Sequence, residues 1–383
     1  IKEKDFGHLA KSAGILAAGV ILAVAASASS IWTTLEYASS TMRGKPVLEK
    51  QSTAVATSSS ETDGLEWNYS MNWSNGMIDL AAMYIPGVAG GGSSEPVGKL
   101  STTNKYMKKN GMRPIDKGPL YWGELPFTSG PQYIGAISFL LFFLGLIFLP
   151  GRLRWWALAA LILTAMLSLG KNLEWFNRLL FDNLPLLNKF RSPSSVTSIT
   201  AVIVPFIGIL GLHTIFTKFK DAEKREQILK PLFIVTGALS ALCLFYIAIG
   251  PSIIDFQTAG DARYQQQAGL ADAFVADRAA LMRSDAIRTL ILTLSGAALI
   301  FAWAKSKLSQ VALISIMGVL VIFDLWSVDK RYLDYDSFKK SRVVKASMEE
   351  RPVDKQIKQD SDLHYRVHDL TPAGGPFNSS AAS

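Results

Sequence analysis

The chain has 383 residues, of which 49% are hydrophobic and only 18% are charged. Soluble domains carry about 25% charged residues, so this composition favours a membrane protein and argues against an ordinary soluble enzyme. The formal net charge of +8 would suit a nucleic-acid partner. However, the basic residues flank apolar runs, and we therefore predict a membrane protein with no nucleic-acid partner.

Seven apolar segments are predicted to cross a bilayer of about 30 Å, because charge nearly vanishes from them. They cover residues 12–32, 132–149, 155–170, 196–217, 231–250, 287–304 and 308–326. The sequence thus predicts an all-α polytopic membrane protein with four regions. These are a first membrane helix (1–32), an outer loop (33–131), a six-helix membrane region (132–326) and an outer C-terminal region (327–383).

The basic residues predict how the chain is oriented. Short clusters rich in Lys and Arg lie at residues 2–11, 152–154, 218–230 and 305–307, on one side of the predicted alternation. Basic residues in short loops stay in the cytoplasm. We therefore expect a cytoplasmic N-terminus and an extracytoplasmic tail.

The outer loop contains two stretches whose composition is typical of flexible linkers, "STAVATSSSETDG" and "GGGSSEP". Its aromatic residues suit stacking on sugar rings or an aromatic belt at the membrane interface, and both interpretations stay open. They are Trp67, Tyr69, Trp73, Tyr121 and Trp122. Three outer acids, Glu36, Asp116 and Glu124, are candidates for a general base or ordinary solvated carboxylates.

The loop 171–195 is rich in basic residues: Lys171, Arg178, Lys189 and Arg191. Arginine binds phosphate through a planar pair of donors, and lysine adds a point charge. Pro193 fixes the backbone after Arg191 and biases Ser192 away from helix. The pattern favours recognition of a phosphate on a lipid, although basic residues at helix ends also extend to lipid headgroups without specificity.

The predicted spans lack buried charge and contain no ionisable group at mid-depth, since His213 and Asp324 are placed near their helix ends. This argues against an ion-coupled pump. The stretch 277–290, "DRAALMRSDAIRTL", predicts a charged helix that enters the sixth span. Residues 337–360 predict an amphipathic helix, and "LHYRVHDL" after them predicts the first strand of a β-containing outer domain. His364, His368 and the lone Cys243 give no metal-binding pattern.

Several segments together resemble the YfhO-like bacterial membrane proteins, in the form seen in Bacteroidetes. The ordered set comprises "LEYASSTMRGK", "YWGELPFTSGPQYIGAI", "LSLGKNLEWFNRLLFDNLPLLNKFRSPSS", "FVADRAALMRSDAIRTL" and "YRVHDLTP". The likeness extends over nearly the whole chain and preserves the order of its segments. It implies a partial chain of a longer protein in the bacterial inner membrane, with further helices upstream and a β-rich outer domain downstream.

The resemblance also implies a function. These proteins are similar to GT-C glycosyltransferases, which transfer sugar from a polyprenyl-phosphate carrier at the outer face of the membrane. Their catalytic acid lies in a loop that would precede Ile1, so no catalytic residue, metal or cofactor is assigned. The substrate-binding residues that we predict are Arg191, Lys171, Asn172, Lys189, Arg43, Glu36, Trp122 and Glu124.

Two residues depart from the family pattern, Glu124 in place of Gln and Gly87 in place of Asn. They leave the substrate details open. The alternative functions are a lipid or polysaccharide transporter and a non-catalytic protein of envelope assembly.

Overall fold

A computed structural model describes residues 6–39, 41, 64–264, 267 and 269–360. The helices of these residues are α1 (Phe6–Ala26), α2 (Ala28–Ser39), α3 (Trp67–Ser70), α4 (Met77–Ala81), α5 (Thr102–Lys109), α6 (Ala136–Phe148), α7 (Gly151–Ser168), α8 (Glu174–Asn183), α9 (Thr197–Lys218), α10 (Ala222–Arg225), α11 (Leu229–Ala248), α12 (Gly250–Ile253), α13 (Leu270–Ala304), α14 (Gln310–Tyr332), α15 (Ser341–Met348) and α16 (Pro352–Ile357). Two short strands, β1 (Glu95–Pro96) and β2 (Lys117–Gly118), pair antiparallel. The chain divides into two compact units, Ile1–Tyr332 and Leu333–Ser383.

The described residues confirm a helical, multi-pass architecture. Four helical segments are individually long and apolar enough to cross a membrane: Pro193–Lys218, Ala222–Ala248, Leu270–Ala304 and Gln310–Tyr332. Two pairs of consecutive helices are bent at a short break, α1 and α2 by 66° and α7 and α8 by 113°. If each pair is counted as one span, the total rises to six. The remaining predicted span corresponds to α6, whose 13 residues fall short of the roughly 20 that a bilayer needs.

The helix bundle is built around two closely packed pairs, α6 with α9 and α11 with α13. At the α6–α9 crossing the two backbones touch. A Cβ atom on Gly211 would stand 2.3 Å from the Cα of Gly145, so neither position accepts a larger residue without a shift. Small residues at such crossings let membrane helices approach closely.

The outer loop is folded from residue 64 onward, and the linker prediction for "GGGSSEP" is wrong. Gly90 and Gly91 are buried with positive φ angles of 84° and 71°. A Cβ atom on Gly90 would lie 1.9 Å from the carbonyl oxygen of Leu120, so the glycines serve close packing and not flexibility. Residues 52–63 of the other predicted linker lie outside the described part of the chain.

An apolar, irregular segment of the outer loop inserts into the bundle. Ile85 and Val88 are fully buried there. The hydroxyl of Tyr84 lies 2.8 Å from that of Thr293 on α13, and the Sγ of Cys243 on α11 approaches it at 3.7 Å. Irregular backbone is tolerated among membrane helices where protein covers it, and this insertion fixes the loop against α11 and α13.

The charged stretch 277–290 and the sixth predicted span form one continuous helix, α13, of 35 residues. In the second unit, the predicted amphipathic helix is confirmed as two short helices, α15 and α16. The break falls just before Pro352, the first residue of α16. "LHYRVHDL", with His364 and His368, lies beyond the described residues.

The predicted orientation is testable by cysteine labelling from outside intact cells. Lys109→Cys in the outer loop should react with a membrane-impermeant maleimide, and Lys224→Cys should react only after the cells are permeabilised. The native Cys243 is buried and should give little background. Labelling with the reverse pattern would overturn the orientation.

Candidate functional site

A cleft of about 200 Å³ opens beside Arg191, between the α7–α8 corner, the start of α9 and the outer loop. We call it the Arg191 cleft. Its apolar lining consists of Met71, Leu167, Leu187, Phe190, Pro193 and Val196. Its polar lining consists of Ser70, Asn177, Arg191, Ser192 and Ser195. The cleft therefore combines a mostly apolar wall with one cation, as ligand sites commonly do.

Tyr69 positions the guanidinium of Arg191. One Nη atom donates a hydrogen bond of 2.6 Å to the Tyr69 hydroxyl, and the guanidinium carbon lies 5.1 Å from the centroid of the same ring. The side chain is exposed, and within the described residues it has no carboxylate partner. Most of its donors are thus available to an anion.

The backbone around Arg191 adopts a strained conformation. Ser192 has φ 67° and ψ 72°, a left-handed conformation that confirms the predicted departure from helix. Pro193 then begins a short 3₁₀ turn, Pro193–Val196, that leads into α9. Ser70 holds this corner, because its carbonyl accepts from the Ser192 N–H (3.2 Å) and its hydroxyl donates to the Phe190 carbonyl (2.7 Å).

The α7–α8 corner packs against the same region. Gly170 has φ +45°, and a Cβ atom there would lie 2.0 Å from Ser74 Oγ and 3.0 Å from Pro193 Cγ. The Lys171 N–H donates to Ser74 Oγ (2.9 Å), while the lysine side chain is exposed. The close packing of Gly170 on Pro193 places Lys171 and Arg191 on adjoining segments.

Asn172 and Lys189 have different surroundings from Arg191. The Asn172 side chain donates to the Asn75 carbonyl (2.9 Å), which ties the α7–α8 corner to the outer loop. Lys189 ends a 3₁₀ turn, Leu187–Lys189, and is half-buried. Of the four residues predicted from this loop, only Arg191 lines the cleft, whereas Lys171, Asn172 and Lys189 lie outside its lining.

Two predicted residues, Trp122 and Glu124, lie next to a buried acid that sequence reasoning missed. Asp79 is 7% exposed and accepts hydrogen bonds from the Gly76 N–H (2.8 Å), the Glu124 N–H (3.1 Å) and the Tyr121 hydroxyl (2.8 Å). The sequence feature that could have identified Asp79 is its position in the first turn of α4, where a carboxylate can accept a hydrogen bond from the backbone N–H of the N-cap residue. Burial, together with Asp79, raises the pKa of Tyr121, so this hydroxyl stays protonated.

The Glu124 side chain itself is exposed, and the Trp122 ring packs edge-on against Phe256 with centroids 5.2 Å apart. Glu36 is exposed on α2 and does not line the Arg191 cleft. Arg43 lies outside the described residues. The structure thus groups only part of the predicted set.

The other outer aromatic residues also have partners within the protein. Trp67 packs edge-on against Phe181, with centroids 5.2 Å apart, and carries the guanidinium of Arg178 at 5.0 Å. Trp73 packs edge-on against Phe127 at 4.5 Å. The Trp67 contacts pack the outer loop onto α8, and the Trp73 contact lies within the loop. Sugar stacking and an interfacial belt remain predictions for these rings.

The expectation that the spans lack buried charge is wrong. Asp324 is 1% exposed and accepts from Arg288 at 2.8 Å, from the Tyr133 hydroxyl at 2.6 Å and from the Ala136 N–H at 2.9 Å. The helix α14 ends at Tyr332, six residues past the predicted boundary at 326. Asp324 therefore lies eight residues before the end of the helix and not near it.

Two further buried ion pairs involve α13. Asp285 is 1% exposed and receives two hydrogen bonds of 2.7 Å from Arg331. Arg278, also 1% exposed, binds Asp261 with two bonds of 2.6 and 2.8 Å. Burial alone would raise the pKa of Asp261, but the bonds from Arg278 outweigh it and the pKa lies below its ordinary value.

No protein-family model matches the chain, and no curated protein or solved structure matches it either.

Glu95 gives a pH-dependent contribution to stability. It is 2% exposed and accepts from the Gly92 N–H (2.6 Å) and the Tyr332 hydroxyl (3.2 Å). Burial raises its pKa, an effect that Asp285 reinforces and that its hydrogen bonds and Arg331 oppose. A carboxyl with a raised pKa stabilises the fold fully below its unfolded pKa of about 4.3 and progressively less as pH rises through the folded value.

We therefore expect Glu95→Gln to raise the Tm at pH 7.5 by about 2–4 °C, the shift that 1 kcal/mol produces in a large domain. At pH 4.5 the variant and the wild type should melt together. The exposed Glu174→Gln should leave Tm unchanged at both pH values. Thermal unfolding in detergent measures all three proteins, and a Glu95→Gln variant that loses stability at pH 7.5 would contradict the assignment.

Proposed function

We propose that this protein is a membrane glycosyltransferase of the GT-C type, which uses a polyprenyl-phosphate-linked sugar at the outer face of the membrane. The observation that carries the proposal is the Arg191 cleft, where an arginine without a carboxylate partner in the described chain borders an apolar wall. A phosphate on a prenyl chain presents the complementary combination, an anion joined to an apolar tail.

The chemistry of the cleft supports binding of a phosphate ester. A guanidinium gives two parallel hydrogen bonds to phosphate oxygens, and Tyr69 already orients it from one side. The hydroxyls of Ser70 and Ser195 already donate to the Phe190 and Ser192 carbonyls, so the guanidinium of Arg191 is the main donor that the lining offers to a phosphate. Lys171 and Lys189 supply further positive charge in the same loop.

The apolar side of the cleft supports the lipid part. Met71, Leu167 and Val196 belong to the outer loop, α7 and the entrance of α9, respectively. The last two elements are predicted to enter the membrane here, so the first prenyl units would pass from the cleft along these helices into the bilayer. Catalytic groups of the transfer reaction would come from outside the described residues.

A transporter remains a second candidate because Arg288 and Asp324 form a buried pair within predicted spans, where ionisable groups commonly serve transport. The full set of donors around Asp324 instead suits a structural role. Asp324→Asn distinguishes the two roles. If the pair is structural, the substitution should lower the Tm. If Asp324 couples transport to an ion, the substitution should abolish ion-driven substrate flux in liposomes and leave the Tm unchanged.

The phosphate proposal makes a prediction about Arg191. Arg191→Ala should weaken binding of a polyprenyl phosphate about ten- to a hundred-fold, since hydrogen bonds to charged groups contribute roughly 1.5–3 kcal/mol. Arg191→Lys should restore only part of the affinity, because lysine keeps the charge and loses the paired donors. Binding to the purified protein in nanodiscs and sugar transfer from the charged carrier are the measurements.

Arg113→Ala, an exposed arginine of the outer loop away from the cleft lining, is the matched control and should bind as wild type. If Arg191→Lys and Arg191→Ala both bind and transfer as wild type at equal protein levels, Arg191 only contacts lipid headgroups and the proposal fails.

A further inference from the structure

A second, smaller site lies close to the Arg191 cleft and contains an amide without partners. The Asn75 side chain is 1% exposed, and neither its Oδ1 nor its Nδ2 has a hydrogen-bond partner among the described residues. A buried polar group without a hydrogen bond destabilises the fold, so such an amide points to a binding partner for it.

The backbone of Asn75 is fixed on both sides. Its N–H donates to the Ser168 carbonyl at the end of α7 (2.9 Å), and its own carbonyl accepts from Asn172 (2.9 Å). Ser74, the preceding residue, is held by its own hydrogen bond to the Met71 carbonyl (2.6 Å). These bonds keep the Asn75 backbone in place, so the amide remains buried at this position.

The amide lines a cavity of about 20 Å³, which we call the Asn75 pocket. Other polar residues of its lining are Asp79, Tyr121, Thr128 and Gln132. The volume is that of about one oxygen-sized group, which needs two to four polar partners. The lining includes the exposed Gln132 as well as the buried Asn75.

The chemistry of the pocket selects a neutral hydroxyl. Asp79 already accepts three hydrogen bonds and would repel an anion. The Asn75 amide offers one donor group and one acceptor, which is the complement of a hydroxyl group. Within the described residues, the pocket lining contains no cation to bind a phosphate.

The pocket and the cleft share a short chain segment. Ser70 and Met71 line the Arg191 cleft, and Asn75 lines the pocket four residues later. Four residues span at most about 14 Å. Thr197, directly after the cleft residue Val196, also donates to Gln132 of the pocket. The pocket and the cleft therefore lie on adjoining segments of the chain, as two subsites for one ligand require.

We infer that the Asn75 pocket binds one hydroxyl group of the sugar whose phosphate is held at Arg191. The inference rests on the proposed function and deepens it, because it assigns a residue that distinguishes the sugar-bearing carrier from the bare lipid phosphate. Asn75 acts here in binding and specificity, and the structure gives it no role in bond breaking.

The test compares two kinds of lipid on the full chain in nanodiscs. The probes are a polyprenyl phosphate and the same lipid carrying glucose, galactose or mannose. Asn75→Leu, which keeps the volume and removes the hydrogen bonds, should lower the affinity for the preferred sugar-bearing lipid about tenfold, the expected loss for unpaired groups in a site built for a hydroxyl. It should leave the affinity for the bare polyprenyl phosphate unchanged, which also shows that the variant is folded.

Monodeoxy versions of the preferred sugar locate the contact. One of them should bind the wild type about tenfold more weakly than the parent and bind Asn75→Leu as well as the parent does. The exposed Asn110→Leu is the control and should behave as wild type with every lipid.

The outcomes separate the inference from the proposed function. If Arg191→Ala loses both lipids while Asn75→Leu loses neither, the phosphate site stands and the hydroxyl site is overturned. An equal loss of both lipids in Asn75→Leu shows a structural role only and also overturns the inference, as does a wild type in which no sugar adds affinity. If the wild type binds neither lipid, both proposals fail.

Discussion

Four ionisable side chains on α13 constrain how the outer part of this protein is built. A buried charge without a partner destabilises a fold by several kcal/mol, so each of the four needs a partner from elsewhere in the chain. The partners come from three other segments of the chain, and two of them, Asp324 and Arg331, belong to α14. They are the α5 backbone N–H groups of Thr102 and Thr103 for Asp277, Asp261 for Arg278, Arg331 for Asp285 and Asp324 for Arg288. A single long helix thereby joins the outer loop, the 254–269 connection and α14.

This arrangement gives the candidate site a rigid support. The outer loop is attached to α13 through Asp277 and through the inserted Tyr84 segment, and its earlier part, around Ser70–Asn75, then lies against the α7–α8 corner. Gly87 fits the same constraint, because a Cβ atom there would stand 2.4 Å from the Asp285 carboxylate. A site assembled from separate loops needs such support to hold its geometry.

The sequence predicted those features of the structure that depend on neighbouring residues, and it did not predict those that depend on contacts with distant parts of the chain. Apolar length alone located α9, α11 and α14, and the Arg-x-Pro pattern predicted the non-helical Ser192. Gly90–Gly92 was wrongly predicted to be a flexible linker, because composition does not show that Gly90 packs against the distant Leu120 carbonyl. Asp324 was predicted to lie near a helix end because the hydropathy of the sequence falls at residue 326. In the structure α14 continues to Tyr332, and Arg331 and Tyr332 bind Asp285 and Glu95.

The role of Asn75 could not be predicted from the sequence, because an asparagine among polar residues is equally typical of an ordinary turn.

The strain at the Arg191 corner couples the cleft to the outer loop. Leu186 and Ser192 both adopt positive φ angles, which cost roughly 1–3 kcal/mol each for residues with a side chain. Ser70 of the outer loop stabilises the corner at Ser192, because its carbonyl accepts from the Ser192 N–H and its hydroxyl donates to the Phe190 carbonyl. The cleft lining likewise comes from the outer loop, the α7–α8 corner and the entrance of α9. The cleft is therefore a property of the folded outer loop together with these helices, and the hydrogen bonds of Ser70 connect the two parts next to Arg191.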